Sequence, residues 1–188
     1  MKKVLAVLAA MAVAVLALAG CGGTDDKKAA TETKVLKVGA TAVPHAEILE
    51  QIKDDLKAEG IDLQVVEFND YVQPNLALND KELDANYFQH APYLDNFVKE
   101  HPEVKLANAA GIHIEPMGIY SHKVKSLNEV KDGATVAIPN DPTNGGRALI
   151  LLSKAGLITL KDNNNIASTV NDITANPKNL KFQELEAA

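Results

Sequence analysis

Apolar and polar positions divide the chain into three stretches. Apolar residues run almost unbroken from Val4 to Ala19, behind Lys2 and Lys3. A short polar text follows, Gly22-Gly23-Thr24-Asp25-Asp26-Lys27-Lys28, and from Lys34 onward brief β-branched runs alternate with stretches of helical spacing. In this third stretch residues 35–39 predict a strand, and residues 44–58 predict a helix with Ile48, Ile52 and Leu56 four apart on one face. Pro44 suits that helix's first turn and Gly60 its end. Residues 61–68 predict a second strand, Asp70 a helix cap, and the following residues a helix through Leu78. A strand over 85–88 and a helix over 92–99 complete this series.

A second unit is predicted from Ser126, which has capping-box spacing to Glu129. It continues with a strand over 134–138 and a helix ending near Gly156. Residues 112–121 are mostly extended by composition and suit a crossing between two lobes. Beyond Asp162 the chain turns asparagine-rich, with weak strand candidates at 168–173 and 180–182. Strands alternating with helices imply an α/β fold with a parallel or mixed sheet covered by helices. The expected organisation is a signal peptide over 1–20, a tether over 21–33, a first α/β lobe over 34–121 and a second over 122–188.

Composition adds the compartment. A positive start, an apolar run shorter than the ~20 residues that span a bilayer and small residues at its end read as a secretory signal peptide. The run closes on Leu18-Ala19-Gly20-Cys21, which resembles the lipobox of bacterial lipoproteins, where cleavage leaves the cysteine as the acylated first residue. Cys21 is the only cysteine, so a disulfide lacks a partner, and the polar tether behind it is no setting for a core thiol. The expectation is a chain held by lipid on Cys21 at the outer or periplasmic side of a cell membrane. Removing residues 1–20 leaves 17 basic against 25 acidic residues, about −8. That balance, without a basic cluster, argues against nucleic acid as a partner.

The strongest candidate chemistry is Asn140-Asp141-Pro142-Thr143-Asn144-Gly145-Gly146-Arg147, directly after a predicted strand and opening a predicted helix. Helix starts offer unpaired N–H groups and a positive dipole end, and Arg147 can pair bidentately with a carboxylate. The plainer reading is a capped helix, with Asn144 or Thr143 as cap and Arg147 solvated. A second signal is aromatic. Six of the eight aromatic residues, Phe68, Tyr71, Tyr87, Phe88, Tyr93 and Phe97, fall between positions 68 and 97, which suggests one apolar pocket wall. Phe68 and Phe97 also fit a plain core. Tyr87 and Phe88, adjacent on a strand, cannot both face one side.

The five histidines, His45, His90, His101, His113 and His122, have no metal-binding spacing, and no metal or cofactor is expected; a site assembled from separated loops stays open. No Gly-x-Ser-x-Gly and no plausible base near Ser121 or Ser153 supports hydrolysis, so an enzyme is not expected.

Several motifs in combination resemble the NlpA/MetQ lipoprotein family: the lipobox, Val38-Gly39-Ala40-Thr41 with Pro44-His45-Ala46, the run from Glu67 to Asn75, the run from Asp84 to His90, Glu115 to Ser121, and the Asn140 to Arg147 loop. The resemblance covers residues 36–188. It implies a two-lobed periplasmic-binding-protein fold of type II that closes on a free amino acid, methionine in either hand or a related ligand, and presents it to an ABC transporter permease. At matching positions it implies that Arg147 clamps the α-carboxylate and Asn144 bonds the head group. Tyr87, Phe88 and His90 would line the side-chain pocket, with Glu115 and Tyr120 as weaker candidates. An aromatic wall suits a thioether, since sulfur against a ring contributes ~0.3–1.5 kcal/mol. Family members continue past Ala188 with a further ligand-contacting asparagine, so this chain is expected to carry an incomplete second lobe and to bind weakly or not at all. A membrane-anchored lipoprotein with a structural or adhesive role is the rival class.

Overall fold

A computed structural model describes residues 33–188, so the expectations on the signal peptide, Cys21 and most of the tether lie outside the described residues. Thr33–Ala188 form one compact unit. Strand β1 (Lys34–Thr41) is the centre of a three-stranded parallel sheet, flanked by β2 (Ile61–Phe68) and β3 (Ala85–Tyr87). Its register with β2 runs without a break from Lys34↔Ile61 to Thr41↔Phe68, and Val38–Ala40 pair with Ala85–Tyr87. Parallel neighbours require crossovers, and the intervening helices supply them. Val38, Ala40, Ala46, Leu49 and Leu63 form the core beneath this sheet. Gly39 belongs to that arrangement, because a Cβ there would lie 2.6 Å from Leu83 Cδ1 and 3.0 Å from Phe68 Cε2.

The helix expected over 44–58 is broken. An irregular turn at Ala42–Ala46 leads into α1 (Glu47–Gln51), Ile52 leaves helical geometry at φ −100°, ψ 1°, and α2 (Lys53–Ala58) resumes. The predicted apolar face is also corrected. Ile48 and Ile52 are 37% and 40% exposed, whereas Ala46 and Leu49 are buried and Leu56 packs against them. Two apolar stripes compete in this segment, and the sheet takes the one that starts at Ala46.

Helix α3 (Gln73–Asn79) begins where Asp70 Oδ1 accepts from the backbone N–H groups of Val72 and Gln73, both at 2.8 Å, as a capping side chain would. Helix α4 (Ala91–Glu100) follows β3 and buries Tyr93, Leu94 and Phe97. The 112–121 crossing carries no regular element, and Ser126 opens only a single 3-10 turn, Leu127–Glu129, despite its hydrogen bond to Glu129 at 3.2 Å.

The second sheet pairs β4 (Thr135–Pro139) in parallel with β7 (Lys181–Leu185), so the weak 180–182 candidate is a five-residue strand. Asn176 aims it: the side-chain amide donates to Leu180 O and accepts from Leu180 N, both at 2.9 Å. Between them lies α5 (Pro142–Lys154), followed by the short antiparallel pair β5 (Thr159–Leu160) and β6 (Ile173–Ala175). The strand expected over 168–173 is instead a capped 3-10 turn at Val170–Asp172 leading into β6. Ile138, Leu149, Leu152, Leu157, Ile158, Leu160 and Leu180 make the second core. Helices α4 and α5 pack against each other, and the buried face of α4 belongs to a separate aromatic cluster of Phe88, Tyr93, Phe97 and Val104. Among the described residues, no helix is long and apolar enough to cross a membrane.

Candidate functional site

The aromatic wall forms where β3 ends and α4 begins. Three amides fix that corner: the buried Asn75 bonds Gln89 at 2.9 and 2.8 Å, and Asn86 donates to Asn75 Oδ1 at 2.9 Å and to Pro74 O at 3.0 Å. Buried amides with partners on every side make directional brackets, and this one sets the strand end at Tyr87, Phe88 and His90. Phe88 is buried and stacks on Tyr71 with centroids 5.8 Å apart, while Tyr93 meets both rings edge-on at 5.9 and 6.1 Å. The Tyr93 hydroxyl donates to Tyr71 O at 2.9 Å. Burial raises the Tyr93 phenol well above its ordinary value, with the Asp141 carboxylate adding to the shift.

His90 follows the wall. Burial, then the Arg147 guanidinium, holds its ring below the ordinary histidine value, against weaker pulls from Asp141 and Glu115. Its Nε2 is buried and has no hydrogen-bond partner among the described residues. An unpaired buried nitrogen costs free energy unless something supplies its partner.

The opposite wall is the start of α5. The cap is Asp141, neither Thr143 nor Asn144: its Oδ1 accepts from Asn144 N at 2.9 Å and from the Thr143 hydroxyl at 3.0 Å. The helix therefore starts with its own carboxylate in place, and the open N–H groups expected for a ligand are partly engaged. Asp141 Oδ2 also accepts from the Asn144 side-chain amide at 3.0 Å, Asn144 Oδ1 accepts from Arg147 Nη1 at 2.8 Å, and Arg147 Nη2 donates to Glu115 O at 3.1 Å. This chain of bonds fixes the guanidinium yet uses two of its five N–H groups. Gly146 seats the helix: a Cβ there would fall 1.8 Å from Ile166 O, so only glycine lets α5 lie against that loop.

Of the residues expected at the site, Phe88, His90, Asn144 and Arg147 share one region. Tyr87 points to the other side of the strand end, edge-on to His45 at 4.8 Å and bonded to His113 Nδ1 at 2.6 Å. Glu115 joins both regions, its carbonyl on Arg147 and its carboxylate on His113. Tyr120 is 88% exposed and stands apart. Tyr71, Tyr93 and Asp141 join this region too, within the aromatic wall and the 140–147 loop that the sequence points to but without the individual roles the structure gives them. The first two lay in the aromatic run, and Asp141-Pro142 is an ordinary helix-start signal.

Two α/β lobes, each with a parallel sheet, and an aromatic wall and a guanidinium brought into one region match the fold of the periplasmic-binding-protein type II class. Residues 36–188 match the NlpA lipoprotein family, and the chain belongs to it. The D-methionine-binding lipoprotein MetQ of Salmonella typhi is 48% identical over 172 residues, covering 92% of this chain and 62% of that protein. A crystal structure of the methionine binding protein MetQ superposes with a TM-score of 0.77 at 47% identity, over 81% of this chain and 62% of the other. An ABC transporter periplasmic substrate-binding protein from Coxiella burnetii gives 0.74 at 42% identity, over 81% and 64%. The chain thus spans a little over three fifths of the length of these relatives.

Proposed function

We propose that this chain binds methionine as the receptor part of an ABC importer, is held at the membrane by lipid on Cys21 and hands its ligand to the permease without catalysing a reaction. The carrying observation is the buried, unpaired His90 Nε2 beside Arg147 and the Phe88 wall, a polar atom placed where a ligand would give it a partner. Arg147 takes the α-carboxylate. The second lone pair of Asn144 Oδ1 accepts from the α-amino group. Phe88, with Tyr71 and Tyr93 behind it, packs the thioether, and His90 bonds the ligand beside it. The lobe boundaries that serve this reading are 34–121 and 122–188, with ligand contacts from both. Related proteins named for binding methionine, and one named as an ABC transporter component, support the same reading.

Calorimetric titration of the purified full chain with L- and D-methionine tests it. Binding that Arg147→Ala abolishes, with unchanged circular dichroism, is the expected result. No binding of either enantiomer by the unmodified chain, or equal binding by the variant, would overturn it. Mass spectrometry of the membrane fraction checks the anchor, with an acylated Cys21 as its expected outcome.

A further inference from the structure

We infer that His45, His113 and Glu115 form a binding site for a divalent first-row transition metal of the zinc class. The three residues come from separated parts of the chain. His45 sits in the irregular turn after β1, and His113 and Glu115 lie one residue apart in the crossing segment. One ligand atom from each lies within 4.8 Å of the others. Both imidazoles direct Nε2 at the same carboxylate oxygen: His113 Nε2 lies 2.7 Å and His45 Nε2 3.4 Å from Glu115 Oε1. Bond lengths near 2.1 Å around a tetrahedral ion place ligand atoms about 3.4 Å apart, so small side-chain movements admit a metal where the three atoms converge.

The groups behind the ligands are those a metal-binding histidine needs. His45 Nδ1 is 2.7 Å from the Thr41 hydroxyl, and His113 Nδ1 is 2.6 Å from the Tyr87 hydroxyl. Without metal, His113 Nε2–H donates to the Glu115 carboxylate; a metal displaces that proton, and with Nδ1–H then donated to the oxygen behind it each ring presents a lone pair at Nε2, the tautomer that ligates. Thr41 and Tyr87 end neighbouring strands of the first sheet, so the supports are fixed by β-pairing. His45 is 6% exposed and gives the site a rigid base, whereas Glu115, with its side chain 52% exposed, leaves an entry path and open positions for water. Two imidazoles and one carboxylate suit zinc, cobalt or nickel better than calcium or magnesium, which prefer all-oxygen sets.

The test is titration of the metal-free full chain with Zn2+ by calorimetry and with Co2+ by visible absorbance, without amino acid, so its outcome is separate from methionine binding. One equivalent of metal is expected, with cobalt bands typical of low coordination number. His113→Ala and Glu115→Gln should abolish the bands. Tyr87→Phe should weaken binding about 10- to 100-fold, the usual effect of losing a supporting hydrogen bond. His122→Ala, at an exposed histidine elsewhere, should change nothing. Unaltered cobalt binding by His113→Ala, or no binding by the unmodified chain, would overturn the assignment. His113 is the deciding position because its partly exposed side chain can be removed without opening the core, as His45→Ala would.

Discussion

The two walls of the candidate amino-acid site are built by different forces. On one side Tyr71, Phe88, Tyr93 and Phe97 lie against each other under α4, and most of their worth comes from area removed from water. On the other, Asp141, Asn144 and Arg147 are linked by hydrogen bonds of 2.8–3.0 Å, partly open to solvent. Apolar burial is shared with the fold, so the aromatic wall cannot be altered without loosening the lobe. The polar wall is a local device on a helix whose stability comes from its buried side, at Leu149 and Leu152.

The largest expected effect breaks this contrast if it fails to appear. Phe97→Ala removes a ring that is almost fully buried and should cost about 3–5 kcal/mol in denaturant unfolding, whereas Arg147→Ala should cost less than about 1 kcal/mol. Comparable losses for the two variants would show that the polar wall also carries the fold. Next in size, Asp141→Ala deletes the helix cap and should cost about 0.5–2 kcal/mol. It also frees the Asn144 amide that positions Arg147, so methionine affinity should fall with it, a link that titration of the variant would expose.

The smallest expected effect sharpens the boundary between the walls. His90 has its pKa held below 6.5 in the folded chain, by burial first and by Arg147 second, so its contribution to stability is present above 6.5. Below that value the unfolded chain takes up the proton first, and stability falls with acidification. His90→Gln should therefore lose less melting temperature than the unmodified chain between about pH 7.5 and 5.5. Parallel losses in the two proteins would remove His90 from the balance.

How legible this was in the sequence depended on whether a signal was local. Strand Ile61–Phe68 matched its predicted bounds because β-branched residues alternate between clear turn signals, and β1, β3 and α4 came within a few residues. The face of the helix after β1 was misread, since Ile48 and Ile52 repeat as regularly as Ala46 and Leu49, and only the position of the sheet decides between them. The partition of Tyr87 from Phe88 followed from strand geometry, and the structure sends the two rings to opposite sides. The capping role of Asp141 was within reach, as aspartate before proline is a common helix start. The grouping of His45 with His113 and Glu115 was not legible, because it depends on where the crossing segment lies against β1 and β3.

The aromatic wall also gives the chain an optical character of its own. There is no tryptophan, and three of the four tyrosines, Tyr71, Tyr87 and Tyr93, stand at the candidate site or at the histidine group beside it. Ultraviolet emission from this protein is therefore almost a local signal. Tyr71 and Tyr93 sit close enough to exchange excitation, Tyr87 is held against an imidazole, and Tyr120 is the most exposed of the four. A ligand arriving at either place should change that emission without any label being attached.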